Sequence, residues 1–392
     1  MTQRNLHLDH IDESHFIDGQ LGAENAMESL QSLIDGYDNV IVTEKWDGAP
    51  AVFAGTDPSD GKFFIATKSV FNKQPKLYKS INEIIDGDMP AGLIVKLSEV
   101  FYSLYNLGIP ADRVLQGDLL WSSRNDQQYR TYEGKRYVTV HPNTLIYGWE
   151  VNTPEALQVE RANVGIVFHT TYFGGDTLDT YQAGFGADVS NLKKSHEVWV
   201  RDARYDRPAL SEEHREMITH IIDRAESVAY DFNGVAAIMN MIPEAFAGAR
   251  IQSFYNSQIR QGIYPYDVKA YFKHVQDYYA KQMDKVKTDA AKDKRKVQLK
   301  QLLDMMKGKE QHFYDAFYYT YKINEAKLAI IDELNSRNKQ KVFVEENGQL
   351  HKAKPEGYVV VDRITGHGVK LVDRQEFSYM NFNESVTKGW MK

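Results

Sequence analysis

The sequence predicts an α+β protein in which antiparallel β-sheets with flanking helices are interrupted by a large all-α segment. Three observations predict it. Apolar residues alternate with period two near both ends of the chain, in runs separated by turn residues such as Asp47-Gly48 and Asn347-Gly348. Residues 206–340 instead place apolar residues at i, i+3 and i+4 spacing. Strand-type patterns then resume beyond residue 340, so the helical segment divides one sheet-bearing unit. The expected division is 1–203 for the N-terminal part of the sheet domain, 204–340 for a helical insertion or accessory domain, and 341–392 for the strands that complete the first part.

At 392 residues the chain is long for a single core. A hydrophobic content of 42% with 26% charged residues is that of a soluble globular protein able to bury a sizeable core. There is no cysteine, which removes disulfides, thiolate metal sites and thiol catalysis, and fits a reducing cytoplasm. The N-terminal Met1 to His7 lacks the apolar core of a signal peptide, and no run approaches the about 20 apolar residues of a membrane span. Net charge is −7, against binding of nucleic acid by bulk charge. Residues 206–340 hold 21 basic against 19 acidic residues, so contact with a polyanion would have to be local.

In chain order, His7-Leu8-Asp9-His10 reads either as metal ligands on one helical face or, more cheaply, as a polar lead-in to the first helix. Ala23, Ala26, Met27, Leu30, Leu33 and Ile34 give a helix over 22–35, stopped by Gly36. Val40-Ile41-Val42 enters a strand, Asp47-Gly48 turns, and Ala51-Val52-Phe53 leaves. A second turn at 57–61 leads to a strand over 63–68, which puts Lys68 on a strand near Lys45. Residues 79–107 read as mostly helical. The strand 113–121 carries Asp118 inside an apolar run, where an edge or turn position is the bland reading; a carboxylate there is costly unless a cation or metal pairs with it, which favours a functional role. Strands follow at 136–140, 145–151 and 164–169.

Helices are expected from Ser211, then through 244–259, 266–306 and 311–336, with a break at Gly308. Lys281 to Lys309 holds ten basic residues against four acids, a solvated helix face or a contact for a phosphate backbone. The aromatics between Phe313 and Tyr321 either pack between helices or stack bases. Strands return at 342–345, 349–352, 355–362 and 369–372, the last pair joined by a turn over Thr365 to Gly368.

Lys45-Trp46-Asp47-Gly48 resembles the K-x-D-G nucleophile motif of the covalent nucleotidyltransferases: ATP-dependent DNA ligases, RNA ligases and mRNA-capping guanylyltransferases. Companion motifs come in that superfamily's order. Lys68 sits where an arginine usually follows the nucleophile, and Asp118 in Gln116-Gly117-Asp118-Leu119 is similar to the third motif, normally a glutamate. Tyr147 looks like the aromatic that stacks on the base. Glu356-Gly357-Tyr358-Val359 matches E-G-x-V, and Lys370 matches the first lysine of the last motif. The pattern is nearest to phage RNA ligases. The chain also resembles an uncharacterised group of tailed-phage proteins with the same Lys-Trp-Asp-Gly and Gln-Gly-Asp-Leu strings.

The resemblance implies nucleotidyltransferase-type sheets and an ATP-dependent polynucleotide ligase, for RNA ahead of DNA, in the cytoplasm of a bacterial host if phage-encoded. It would act through a lysyl-AMP intermediate and seal 5′-phosphate to 3′-hydroxyl ends. Lys45, Lys68 and Lys370 are the implied catalytic residues. Glu44, Asp47, Gly48, Asp118, Tyr147 and Glu150 are the implied nucleotide contacts, and Glu356 the implied metal ligand; ATP and Mg²⁺ are the implied cofactors. RNA or a nicked duplex is the implied partner. Three features depart from the pattern. Asp118 replaces glutamate, with Glu150 a rival for its role. Val372 stands where a second lysine is usual, and no oligonucleotide-binding barrel is expected in the 22 residues after Lys370. The alternatives are a capping-type guanylyltransferase, an adenylyltransferase of a protein or small molecule, and a non-catalytic nucleic-acid-binding protein.

Attack on an α-phosphate needs a neutral amine, so a lysine that titrates at ~10.4 in water is expected to be depressed by cationic neighbours or burial. Lys68, Lys370 and Mg²⁺ are the expected sources of that field, with Asp47 opposing it. The reading requires Lys45, Lys68, Asp118 or Glu150, Glu356 and Lys370 to converge on one pocket.

Overall fold

The computed structural model describes residues 9–36, 40–72, 74–205, 210–228, 232–263, 265–336, 340–362 and 368–389. The expected histidine at position 7 and all but the last residue of the expected turn over 365–368 lie outside them. The chain runs through β1 (Asp9–His10), α1 (His15–Asp35), β2 (Val40–Lys45), β3 (Ala51–Thr56), β4 (Phe63–Ala66), α2 (Ile81–Ile85), α3 (Ala91–Asn106) and β5 (Arg113–Trp121). It continues through β6 (Gln127–Tyr132), β7 (Lys135–Val140), β8 (Ile146–Glu150), α4 (Pro154–Arg161), β9 (Val164–Phe173), β10 (Gln182–Phe185), β11 (Val198–Asp202) and β12 (Arg204–Tyr205). Helices α5 (Glu212–Glu226), α6 (Phe232–Met241), α7 (Ile251–Ile259), α8 (Val268–Asp284), α9 (Asp289–Met306) and α10 (Glu310–Asn335) follow. The chain closes with β13 (Lys341–Glu346), β14 (Gln349–Lys352), β15 (Gly357–Asp362), β16 (Gly368–Leu371) and α11 (Arg374–Phe382).

The fold is mixed α+β, and among the described residues it has three largely antiparallel sheets. The first runs β1-β16-β15-β2-β12, the second β10-β9-β5-β3-β4 with β11 also on β9, and the third β14-β13-β8-β7-β6. Strands from beyond the helical segment thus complete two sheets begun before it. One expectation is corrected here: Asp47-Gly48 does not join a hairpin. β2 pairs with β15 and β12, whereas β3 pairs with β4 and β5, so residues 46–50 cross from the first sheet to the second. A local turn signal fixes a reversal but not the partner strand.

Each sheet buries a face for an evident reason. Val52, Ala54, Leu115 and Ile166 of the second sheet pack under Leu97, Val100 and Leu104 of α3. Val42, Tyr358, Val360 and Leu371 of the first sheet instead share one core with Phe16, Ala23 and Leu30 of α1 and with Ile323, Ile330 and Ile331 of α10. The helical segment therefore has no core separate from the first sheet. Helix α1 begins at His15, seven residues before its expected start at 22, because the chain bends at the non-helical Gly19 (φ 60°) and continues. Phe313, Phe317 and Tyr319 of the aromatic run are core residues. No helix among the described residues is long and apolar enough to cross a membrane.

Candidate functional site

Lys45 ends β2, and register places Gly357 of β15 opposite it. Glu356 therefore stands beside Lys45, and the Lys45 ammonium donates to Glu356 Oε1 in an ion pair. Gly357 has φ +144°, and a Cβ there would lie 2.2 Å from the Leu371 carbonyl oxygen. Only glycine fits that approach. The next strand, β16, sets Lys370 opposite Val359. From the other sheet, β3 and β5 pair Ala51 with Asp118. Gly48 makes that approach possible, since a Cβ on it would meet Asp118 Cβ at 2.7 Å.

Between the two sheets lies a cavity of about 240 Å³, which Glu356 does not line but adjoins through its contact with Lys45. Glu44, Lys45, Asp118 and Lys370 line it, together with His169 and Tyr172 of β9. Lys45 is held above the usual lysine range, contrary to the expected depression. Burial would lower it, but Glu356, Asp118 and Asp47 surround it and raise it further. The resting side chain is an ammonium. Burial pushes the Glu356 carboxyl up to about 7 against the pull of Lys45, with Asp47 and Asp118 adding to the rise. Burial also raises Asp118, while His169, Lys45 and Lys68 hold it back. Glu44, 5% exposed, is pushed up to about 7 by burial, although Arg201 and a hydrogen bond from Gln340 (2.7 Å) favour its charged form.

The turn after Lys45 is pinned from beneath. Asp47 accepts from the backbone N–H of Thr144 (2.7 Å) and Leu145 (2.8 Å) and from Asn143 Nδ2 (2.9 Å). Its own N–H donates to Tyr147 Oη at 2.6 Å. Trp46 packs on Tyr147 at 4.6 Å between ring centroids and on Trp199 at 6.1 Å, within a group that also includes Trp121 and Trp149. Asp47 and Gly48 thus shape the turn, and neither lines the cavity.

Three other expected residues are not brought to that cavity. Tyr147 is buried under Trp46 with its hydroxyl engaged by the backbone. Alternation along β8 indicates which residues share a face, but not whether that face meets a ligand or the tryptophans. Glu150 lies on the third sheet and pairs with Lys135 at 2.9 Å; of the two rival carboxylates, only Asp118 is at the cavity. Lys68 does not continue a strand. β4 ends at Ala66, and Lys68 opens a 3₁₀ turn through Phe71, exposed but close enough to act on the Asp118 carboxyl.

His169 was missed from the sequence. Its Nε2 lies 3.7 Å from Asp118 Oδ2, its Nδ1 meets Thr170 Oγ1 at 2.8 Å, and burial lowers its basicity. The signal was present, a histidine closing the apolar run 164–168, as asparagine, serine or glycine would ordinarily do. Gln340, the partner of Glu44, carried no signal.

Glu356 Oε2 is buried with no hydrogen-bond partner, an unsatisfied carboxylate oxygen beside Lys45. Among the described residues no group of three or more His, Asp or Glu side chains is placed to hold a metal ion. Mg²⁺ commonly takes one or two carboxylates and completes its shell with water and substrate phosphates, so Glu356 with Asp118 fits that donor set when a polyphosphate is also present.

None of the curated proteins and none of the solved structures matches this chain. The chain belongs to DUF6267, a family of unknown function, which it matches over residues 5–386.

Proposed function

We propose that this chain is a covalent nucleotidyltransferase with Lys45 as nucleophile, built on nucleotidyltransferase-type sheets, and that it serves as an ATP-dependent polynucleotide ligase, for RNA ahead of DNA. One observation carries the reading: Lys45 and Glu356, from motifs 311 residues apart, form an ion pair beside a cavity that Asp118 and Lys370 also line. ATP is a substrate here. Lys45 Nζ attacks the α-phosphorus, the N–P bond forms, and the bond from that phosphorus to the pyrophosphate oxygen breaks. The amine must first lose its proton, and Glu356, whose carboxyl titrates near 7, is in contact to accept it. Lys370 opposes the charge that develops on the α-phosphate, and Asp118 accepts from the ribose hydroxyls. Glu44 supplies the polar contact for adenine. Glu356 and Asp118 would hold Mg²⁺, which would supply charge neutralisation on the phosphates.

The nucleotide then passes to a 5′-phosphate, freeing Lys45. A 3′-hydroxyl attacks that phosphate, forming the phosphodiester and releasing AMP. The test is incubation of the full chain with α-labelled ATP or GTP, then a denaturing gel. Label from ATP that is absent in Lys45→Ala is the expected result; no label, or label that persists in Lys45→Ala, removes the reading. Label from GTP alone would assign the chain to capping-type chemistry. Sealing of nicked RNA against nicked DNA then identifies the acceptor.

A further inference from the structure

Lys370 borders a second cavity, of about 490 Å³, on the side of β16 facing the helical segment. Its other charged walls are Arg250, which precedes α7, Arg374 at the start of α11, and Glu13. Arg374 is engaged by Glu13 and by Asn256 Oδ1 (2.6 Å), so this acid offsets one of the three cations. Arg250 donates to the Ile242 carbonyl (2.8 Å) and pairs with the exposed Glu244 (3.0 Å), while its buried Nε has no hydrogen-bond partner. Gln252 and Ser253, in the first turn of α7, also face the cavity; the Ile251 N–H donates to Met239 Sδ (3.5 Å) and the Ser253 N–H to the Arg250 carbonyl (3.1 Å), while the Arg250 side chain does not cap the helix. The positive end of the helix dipole adds to the field of these cations.

We infer that this second cavity is a phosphate subsite, shared with the Lys45 cavity through Lys370. Its occupant rests on the nucleotidyl transfer proposed above. The same phosphate chemistry has two sources: the diphosphate that leaves when the bond to the α-phosphorus breaks, or the 5′-phosphate of an acceptor strand. Arg250 meets it with an unused N–H, Lys370 holds it next to the reacting phosphorus, and the helix terminus receives the remaining oxygens. The helical segment thereby contributes to binding substrate or product as well as to the core.

The test uses calorimetric titration of the full chain with inorganic pyrophosphate, and separately with an oligonucleotide bearing either a 5′-phosphate or a 5′-hydroxyl. Two variants are compared with the wild type. Arg250→Gln removes the guanidinium, and Gln252→Glu places a carboxylate in the cavity at nearly constant volume; circular dichroism and unfolding midpoints establish that each is folded. The expected result is pyrophosphate binding weakened at least about tenfold in both. Weakening confined to the 5′-phosphorylated strand supports the subsite with the acceptor as its source. Equal affinities in wild type and variants for both ligands, or no binding of either to the wild type, overturn it. Unlabelled Lys45 together with variant-sensitive pyrophosphate binding removes the transferase reading and leaves the subsite. Labelled Lys45 with variant-insensitive binding of both ligands does the reverse.

Discussion

Lys45 and Glu356 shift in the same direction for opposite reasons: the carboxylate keeps the amine charged, and burial holds the same carboxyl above its ordinary range, up to about 7. The rate of covalent labelling should therefore rise with pH as Glu356 ionises around 7. In Glu356→Gln the step centred on 7 should be lost, leaving a rise that continues into alkaline pH as Lys45 gives its proton to solvent, with a rate at neutral pH about a hundredfold lower. Initial rates of label transfer across neutral pH measure both. A wild-type profile that stays flat through this range would show that Glu356 is not the proton acceptor.

Glu44 gives a stability prediction whose sign follows from burial. Its carboxyl titrates at about 7 in the folded chain and at an ordinary 4.5 when unfolded, so between those values the folded state binds more protons. Its contribution is fully present below 4.5 and is lost as pH rises through 7. Glu44→Gln, which cannot ionise, should then exceed the wild type by up to about 3 kcal/mol in alkaline buffer, with the gap closing in acid. Urea unfolding of both proteins at several pH values tests it. A gap that widens in acid has the wrong sign.

Asp47 brackets the turn that follows Lys45. Removing its carboxylate in Asp47→Ala leaves the buried N–H groups of Thr144 and Leu145 without their acceptor, at a cost of about 3 kcal/mol. Asp47→Asn retains one acceptor oxygen and should recover roughly half of that. Denaturant midpoints decide. Equal midpoints for the two variants would mean that the loop over 143–145 is held by other contacts.

Much of this site was legible because strands announce themselves by period and motifs by spacing. Lys45, Asp118, Glu356 and Lys370 each fell on an expected strand or beside one, and all four are found together. Pairing was less legible. Nothing local indicates that β2 takes β15, more than 300 residues away, in place of the adjacent β3. Facing was less legible still. Tyr147 and Tyr172 are both strand tyrosines, yet one lies under a tryptophan cluster and the other lines the cavity. The electrostatics reversed the expected sign at Lys45 for a related reason: spacing showed which cations could be near, whereas the pairing of β2 with β15 puts a carboxylate nearer.

Gly357 is where pairing and chemistry meet, and replacing it should damage both. At φ +144° an alanine is strained, and its Cβ would press on the Leu371 carbonyl of the neighbouring strand at 2.2 Å. That oxygen belongs to the backbone and can yield only if β16 moves away from β15. Gly357→Ala should therefore cost about 3 kcal/mol in urea unfolding. Gly348→Ala is the control: its φ of +76° is also left-handed, but nothing lies within 4 Å of the added carbon, so about 1 kcal/mol is expected. Labelling separates the two further. Displacing β16 shifts Lys370 relative to Lys45, so Gly357→Ala should label more slowly even where it is fully folded, while Gly348→Ala should label at the wild-type rate. If the two variants unfold at one midpoint and label alike, the close approach at Gly357 does not govern the site.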